Sequence, residues 1–377
     1  MKLILFLLVL LGKCCFMDCQ FYQYLYINQN KTWTEAQQYC IENHTDLATV
    51  TNMKDMERLI NVSAGRKREA WIGLYNQTKA NRTWYWSLPG VEFNESETNW
   101  DPEEPNDKGT ENCGFISKDL KWGDISCNGE KYFLCYNETK TSDKIYLIKE
   151  TKSWLEAQSY CRKEHTDLVS GLDQLTHEQL KNVVSLINNL DDAHKYVFMG
   201  LFRDTWRWSD GSNFSFRHWN LKFNDEQDNS GQCALVEFSD EGSWRNEKCT
   251  ERKPFICYDD KLILVTESKT WEEALNYCRE KHHDLVTITN MDDQILVQQN
   301  AQFALTDYVW TGLSYACTLD LWFWVSDEVV SYKNWAQNEP MDDCDMSGAM
   351  ETRGGYKWRK KNDTEKFNFI CSKHTQG

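Results

Sequence analysis

Hydrophobic and polar positions follow a helical period in one segment that occurs three times along the chain. In the first copy, Thr32 is followed three places later by Glu35, which is the capping-box signature of a helix start. Trp33, Ala36 and Cys40 then fall on one face of the helix and form a stripe that faces a core. The other two copies are residues 153–161 and 270–278. The chain is therefore predicted to contain a repeated domain that opens with this helix.

The same order of elements follows each copy of the helix. A second capped helix comes first, then two short aromatic strands, a long loop, and a last strand that ends in Phe-x-Cys. The second helices are predicted at residues 52–60, 176–187 and 290–299. The aromatic strands are predicted at residues 71–74, 84–87, 198–201, 206–209, 310–313 and 322–325, and the last strands at residues 133–135, 255–257 and 369–371. Helices followed by strands around a surface loop predict an α+β unit in each repeat.

The repeats divide the chain into three units of about 115 residues, each large enough for its own core. We place their boundaries at residues 20–136, 144–258 and 259–373. Residues 1–19 combine a positive charge with an apolar run too short to span a bilayer, which predicts a secretory signal peptide. No later stretch has the roughly 18 uninterrupted apolar residues of a membrane helix. We therefore expect a soluble, secreted product, or alternatively the ectodomain piece of an endocytic receptor.

Composition agrees with export. Nine Asn-x-Ser/Thr sequons in a chain with a signal peptide predict a glycosylated surface. The net charge of −16 argues against nucleic-acid binding, which needs a basic footprint. His177-Glu178 lacks the second histidine of a helical zinc site, and the chain has no glycine-rich phosphate loop or serine-elbow motif. We expect no enzymatic activity.

Cysteine spacing indicates a disulfide framework. Although spacing alone does not determine connectivity, its threefold recurrence favours a bridge from the first helix to the last strand and, in the first two units, a second bridge in the long loop. The pairs favoured are Cys40–Cys135, Cys161–Cys257, Cys278–Cys371, Cys113–Cys127 and Cys233–Cys249. In the third unit Asp363 stands where the partner of Cys344 is expected, and Cys317 is additional. A Cys317–Cys344 bridge and an intermolecular disulfide both remain open.

These residues together resemble the C-type lectin-like domain, arranged in tandem as in the mannose-receptor group of proteins. The resemblance extends over about residues 22–372 and rests on the Trp-x-x-Ala-x-x-Tyr-Cys helix, the Trp-Ile-Gly-Leu strand and the four-cysteine frame. It implies three disulfide-stapled α+β modules, each with a long surface loop that can bind Ca²⁺ and sugar. Because fold does not guarantee activity, the loop of each unit has to be considered residue by residue.

The loop of the first unit is the only one for which the resemblance implies a calcium and carbohydrate site. The metal ligands, which would also contact the sugar, are Glu104, Asn106, Glu111 and Asp124. In the family the Glu-Pro-Asn order goes with a cis proline and with mannose-type sugars. Gly123 stands where the sugar binders have Asn, and the loss of one hydrogen bond in a charged setting costs about 1.5–3 kcal/mol. We therefore expect weak binding that Gly123→Asn would tighten.

The loops of the other two units depart further from the pattern. The second unit has Lys222 where a carboxylate is expected, and the third has Met341 in place of Asn and a basic segment at residues 358–361. We therefore expect no calcium and sugar site in either unit. Two functional hypotheses follow. One is a lectin that recognises mannose-type glycans through calcium in the first unit, and the other is a calcium-independent protein-binding or scaffolding array. The expected partners are glycans or glycoproteins in the first case and protein ligands in the second.

Overall fold

A computed structural model describes most of the chain after residue 21. The described residues are 22–63, 69–77, 81–107, 109–142, 144–172, 174, 183–185, 187–188, 190–191, 194–223, 232–339 and 344–373. The predicted signal peptide and most of the helix predicted at residues 176–187 lie outside them. The chain forms two compact units, one of residues 24–258 and one that contains residues 259–373.

The helices begin where the capping signals place them. The long helices of the described residues are α1 (Trp33–Asn43), α2 (Met53–Val62), α3 (Trp154–Glu164), α4 (Trp271–Lys281) and α5 (Met291–Ala301). Thr32, Ser153 and Thr270 cap α1, α3 and α4, and each forms a complete capping box with the Glu three residues later. Asn52 and Asn290 cap α2 and α5. Within the described residues, no helix is long and apolar enough to cross a bilayer.

The third repeat folds by itself in the second compact unit. Its strands are β15 (Leu262–Lys269), β16 (Asp284–Leu285), β17 (Tyr308–Ala316), β18 (Leu321–Trp324), β19 (Met346–Glu351), β20 (Trp358–Asn362) and β21 (Phe367–Ser372). They form sheet C in the order β15-β21-β17-β19-β20, with β18 paired to β17 and β16 to β21. Trp271 of α4 donates its indole N–H to the carbonyl oxygen of Thr311 at 2.9 Å, which satisfies the buried donor and orients the helix on the sheet.

The first two repeats form two sheets of the same topology. Their strands are β1 (Tyr22–Lys31), β2 (Asp46–Leu47), β3 (Glu69–Asn76), β4 (Thr83–Trp86), β5 (Cys113–Ile116), β6 (Trp122–Ile125), β7 (Lys131–Tyr136), β8 (Ile145–Lys152), β9 (Asp167–Leu168), β10 (Val197–Asp204), β11 (Trp206–Trp208), β12 (Cys233–Glu237), β13 (Ser243–Glu247) and β14 (Lys253–Asp260). Sheet A has the order β1-β14-β3-β12-β13, with β11 on β3 and β2 on β14. Sheet B has the order β8-β7-β10-β5-β6, with β4 on β10 and β9 on β7.

Each of these two sheets takes strands from both repeats, so the repeats exchange halves. After β3 the chain leaves sheet A, forms all of sheet B between residues 83 and 204, and returns to sheet A at β11. We call residues 81–204 the inserted globule, and residues 22–77 with 205–258 the split globule. The exchange preserves the local contacts of the repeat. The indole N–H of Trp33 bonds to the carbonyl of Ile72, and that of Trp154 to the carbonyl of Met199, both at 2.8 Å.

The exchange corrects two of the predicted disulfides. The pairs Cys40–Cys135 and Cys161–Cys257 are wrong, because β7, which carries Cys135, lies beside α3 in the inserted globule, while β14, which carries Cys257, lies beside α1 in the split globule. The structure instead has Cys40–Cys257 and Cys135–Cys161, with Cα–Cα distances of 5.4 and 5.3 Å. The remaining bridges are Cys113–Cys127, Cys233–Cys249, Cys278–Cys371 and Cys317–Cys344. The last of these is the intramolecular alternative for the third unit.

Candidate functional site

The candidate site lies in the inserted globule, where the long loop of the first repeat meets the hairpin of β5 and β6. The Cys113–Cys127 bridge closes this region, and Trp100 and Trp122 form a parallel bridge between the loop and β6. The Glu104–Pro105 peptide bond is cis. The loop thus reaches the edge of the sheet at β6, which carries Gly123 and Asp124.

Three of the four predicted ligands are in direct contact. The Asn106 side-chain amide donates to Glu104 Oε1 at 3.0 Å, and its backbone N–H donates to Asp124 Oδ1 at 2.9 Å. The backbone N–H of Asp124 donates to Glu104 Oε2 at 3.3 Å. The fourth residue, Glu111, contributes its backbone carbonyl to the same cluster. Each of these hydrogen bonds occupies an oxygen atom that would otherwise be available to coordinate a cation.

Arg203 of β10 supplies the positive charge of this cluster. Its Nη2 donates to Asp124 Oδ2 at 2.9 Å and to the Glu111 carbonyl oxygen at 2.7 Å, while its Nε donates to Asn112 Oδ1 at 3.2 Å. The guanidinium also lies 4.7 Å from the ring centroid of Trp84, a cation–π contact. The side chains of Arg203 and Asp124 are only 6% and 0% exposed. The second repeat therefore places a buried cation in the loop of the first.

The carboxylates of the loop titrate differently because their surroundings differ. Burial and the neighbouring Asp124 and Glu111 raise the pKa of Glu104 to about 7. Asp107 accepts backbone hydrogen bonds from Gly109 and Thr110, and these lower its pKa to about 2. Burial lowers the pKa of Arg203, while the charge of Asp124 opposes that effect, and a guanidinium remains protonated at any physiological pH. The cluster thus holds its own cation beside a carboxyl group that is half protonated near neutral pH.

Gly123 cannot accept a side chain in this arrangement. A Cβ atom added there would lie 2.4 Å from two ring atoms of Phe115 and 3.0 Å from the carboxyl carbon of Glu104. Phe115 stands opposite Gly123 in the β5–β6 hairpin, and its ring lies 4.3 Å from that of Tyr196. A side chain at Gly123 would therefore require the ring of Phe115 to move, and our expectation that Gly123→Asn restores a metal ligand stays a prediction.

The residues present do not fit a calcium ion. Ca²⁺ takes six to eight oxygen ligands at about 2.3–2.6 Å, but Asp124 and the Glu111 carbonyl already bind a guanidinium, and Asn106 turns its amide N–H₂ group toward Glu104. Across the part of the chain that the structure describes, no group of three or more His, Cys, Asp or Glu side chains is placed to hold a metal.

Basic side chains form ion pairs on the corresponding strands of the other two sheets. Arg245 of β13 lies 2.6 Å from Glu69 Oε2, and Arg359 of β20 lies 2.7 Å from Glu351 Oε1. Lys222 is exposed. The adjoining residues 224–231 and 340–343, including Met341, lie outside the described residues. The hairpins beside these two loops therefore carry positive charge, at Arg245 and Arg359.

A cavity adjoins Arg203 where the inserted and split globules meet. It encloses about 650 Å³ when the open space at its mouth is counted. Trp154 and Phe202 line it from the inserted globule, and Trp219 and Phe223 from the split globule. The rings of Trp219 and Phe223 are stacked at 4.0 Å. Its polar groups include Asp204, whose carboxylate accepts hydrogen bonds from Arg217. The cavity therefore combines aromatic faces with a few charged groups, as ligand pockets commonly do.

Comparison with known families identifies the domain type. The sequence profile of the Lectin C-type domain matches residues 29–137, 150–259 and 267–373, which together make up most of the chain. The chain belongs to the C-type lectin domain family. The family's receptors and lectins are not enzymes.

Distant relatives of the chain include proteins of the mannose-receptor group. The human C-type mannose receptor 2 is 24% identical over 90% of this chain and 26% of its own length. The secretory phospholipase A2 receptor of Pongo abelii is 24% identical over 81% of this chain and 24% of its own length, and human lymphocyte antigen 75 is 23% identical over 91% and 22%. The chain thus spans about a quarter of the length of these relatives and is a distant member of the mannose-receptor group.

Arg203 and Phe115 are the two residues of the candidate site that the sequence analysis missed. Arg203 lies in the second repeat, so no reading of the first repeat could include it. The available signal was the connection between β10 and β11, which is only Thr205. Phe115 could have been found from the hairpin register, since it falls opposite Gly123. Arg203 reaches the loop from another repeat, and Phe115 reaches Gly123 from the neighbouring strand.

Proposed function

We propose that this chain is an extracellular, non-enzymatic binding protein whose first long loop keeps its conformation without calcium. The observation that carries this proposal is the buried ion pair between Arg203 and Asp124, at 2.9 Å. The guanidinium neutralises the carboxylate that a metal would otherwise neutralise. Glycans and glycoproteins are the ligands that the family favours.

Electrostatics supports a calcium-free loop. A calcium ion bound to Asp124 would lie about 4 Å from the guanidinium of Arg203, and a divalent and a monovalent cation at that distance repel by roughly 8 kcal/mol at an effective dielectric constant near 20. Calcium would therefore have to displace Arg203, which would leave a buried guanidinium without its partner.

The cavity beside Arg203 offers a ligand recess that does not involve a metal. A pyranose ring has apolar C–H faces that suit the ring of Phe223, which stacks on Trp219 at 4.0 Å. We place glycan recognition in this cavity, between the two globules.

Calcium-dependent recognition of mannose-type sugars is the second candidate. It is favoured by the direct contacts among Glu104, Asn106 and Asp124, which keep the predicted ligands together at one edge of the sheet. On this alternative, calcium displaces Arg203 and takes over the carboxylate of Asp124.

Thermal unfolding and glycan-array binding of the full chain, each in excess calcium and in excess chelator, distinguish the two. We expect the same unfolding midpoint and the same glycan retention in both conditions, because Arg203 needs no metal. A midpoint that rises by several degrees in calcium, with mannose retention that is lost in chelator, would establish the second candidate. Binding to protein ligands without glycan retention would point to the scaffolding role.

A further inference from the structure

The third repeat shows what a complete hairpin between the two aromatic strands requires. Its β17 and β18 pair in a register that sets Leu313 opposite Trp324 and Ala316 opposite Leu321. Residues 317–320 form the turn, and Asp320 adopts a left-handed conformation with φ of 55°. Four residues therefore lie between the last paired positions.

The second repeat lacks those four residues. The register of the third repeat would set Leu201 opposite Trp208, and three positions further it would set Asp204 opposite Thr205. These two residues are consecutive in the chain, so they cannot pair. The closest possible hairpin would leave Asp204-Thr205 as a two-residue turn. A type I′ turn needs positive φ at both positions, which the β-branched Thr205 disfavours, and a type II′ turn needs it at the first position, where glycine is usual and this chain has Asp204.

We propose that this missing turn compels the first two repeats to exchange halves, and that the exchange thereby assigns Arg203 to the loop of the first repeat. Instead of folding back, β10 and β11 run on into different sheets through Thr205. Short hinges of this kind are known to favour domain swapping. The proposal deepens the proposed function, since it explains how a residue of the second repeat reaches the candidate site.

The registers show that the exchange loses no strand pairing. β10 pairs with β4 so that Leu201 lies opposite Trp86, and β3 pairs with β11 so that Leu74 lies opposite Trp208. Both pairs match the Leu313–Trp324 pair of the third repeat. Each hairpin position is therefore filled by an equivalent residue of the other repeat.

Hydrogen bonds hold the chain where it crosses between the sheets. The Thr205 hydroxyl donates to Asn76 Oδ1 at 2.8 Å, and the Thr205 carbonyl accepts from the backbone N–H of Gln77 at 3.0 Å. The buried carboxylate of Asp204 accepts from Arg217 at 2.8 Å. The crossing is thus a structured connection between the two sheets.

The exchange decides which side chain faces the long loop of the first repeat. Arg203 lies two residues after Leu201, and Asn76 lies two residues after Leu74, so the two occupy equivalent positions. In repeats that did not exchange, Asn76 would take the place next to the first loop and Arg203 would remain with the second. The length of one connection therefore determines whether the first loop receives a permanent cation.

Disulfide connectivity provides the test. A specific protease site is introduced in the exposed joint, residues 138–142, and the full chain is cleaved there and run on a non-reducing denaturing gel. In the exchanged form Cys40–Cys257 and Cys135–Cys161 both link the two pieces, so they should separate only after reduction. Pieces of the wild type that separate without reduction would overturn the exchange.

Two variants test the cause. The first inserts Ser-Thr-Leu-Asp, which copies the turn of the third repeat with serine in place of its cysteine, between Asp204 and Thr205. The second is Thr205→Gly, which creates an Asp-Gly turn suited to a two-residue hairpin. We expect the majority of the inserted variant, and a smaller fraction of Thr205→Gly, to separate without reduction. The control inserts the same four residues between Gly354 and Gly355 and should remain linked like the wild type.

The outcomes bear differently on the exchange and on the proposed function. If both variants remain fully linked, turn length is not the cause and the proposal is overturned. If the inserted variant does not fold, the Thr205→Gly variant alone tests the cause. Pieces that separate without reduction then support the proposal, and pieces that remain fully linked overturn it. A wild type that is linked but needs calcium for glycan binding would overturn the proposed function and leave the exchange standing.

Discussion

Replacement of Arg203 by leucine should unfold the first compact unit at a clearly lower temperature. The substitution removes the partner of Asp124, whose side chain has no solvent exposure, and it also removes the donors to Glu111 and Asn112. Breaking a buried ion pair by removing one partner costs about 3–5 kcal/mol. For a unit of this size each kcal/mol shifts the midpoint by about 2–4 °C, so the expected decrease is about 6–20 °C.

Differential scanning calorimetry with and without calcium measures this effect. Arg252→Leu is the matched control, because Arg252 pairs with Glu35 at 2.8 Å but is 59% exposed, and such surface pairs contribute about 1 kcal/mol or less. Calcium should raise the unfolding midpoint of Arg203→Leu, because a concentration a hundred times the dissociation constant stabilises the folded state by about 2.7 kcal/mol, and it should leave the midpoint of the wild type unchanged. A loss no larger than that of the control, with no response to calcium, would refute our account of the loop.

Three further predictions concern the same region. Gly123→Ala should lower the free energy of unfolding by about 1–3 kcal/mol in denaturant, because its Cβ meets the ring of Phe115. Combining it with Phe115→Ala should remove that clash, so a double variant whose two losses are fully additive would contradict the prediction. Glu104 has a pKa of about 7 when folded against 4.5 as its ordinary value, so the folded state binds more protons between these values and wild-type stability should fall as pH rises from about 5 to about 8. Glu104→Gln should remove that part of the slope in pH-dependent thermal melts, and an unchanged slope would count against the assignment. Phe223→Ala should reduce glycan-array retention equally in calcium and in chelator, whereas unchanged retention would remove the cavity from consideration.

The sequence predicts the local elements well because their causes are local. Thr32 and Glu35 form a capping box wherever the rest of the chain lies, and the aromatic strands follow their own alternation. The sequence does not determine which sheet each strand joins. Equivalent residues such as Trp86 and Trp208 fit either partner, so pattern cannot decide between them.

The candidate site shows the same division. Sequence brings Glu104, Asn106 and Asp124 to one loop because they lie on neighbouring segments, and the structure finds them in contact. The charge that occupies the loop comes from Arg203, 79 residues after Asp124 and in another repeat. The sign of the exchange in the sequence is the missing turn after Arg203. It can be recognised only by comparison with the third repeat.

Because the two repeats exchange halves, their disulfides become possible at very different times during biosynthesis. Cys135 and Cys161 are 26 residues apart and can pair soon after both are made, whereas Cys40 must wait for Cys257, which follows it by 217 residues. At about 5–20 residues per second, that wait is about 10–40 s. The inserted globule can be completed during this interval, before the final partner of Cys40 has been made. The first half of the split globule therefore has to persist without its second half for most of the synthesis of the first two repeats.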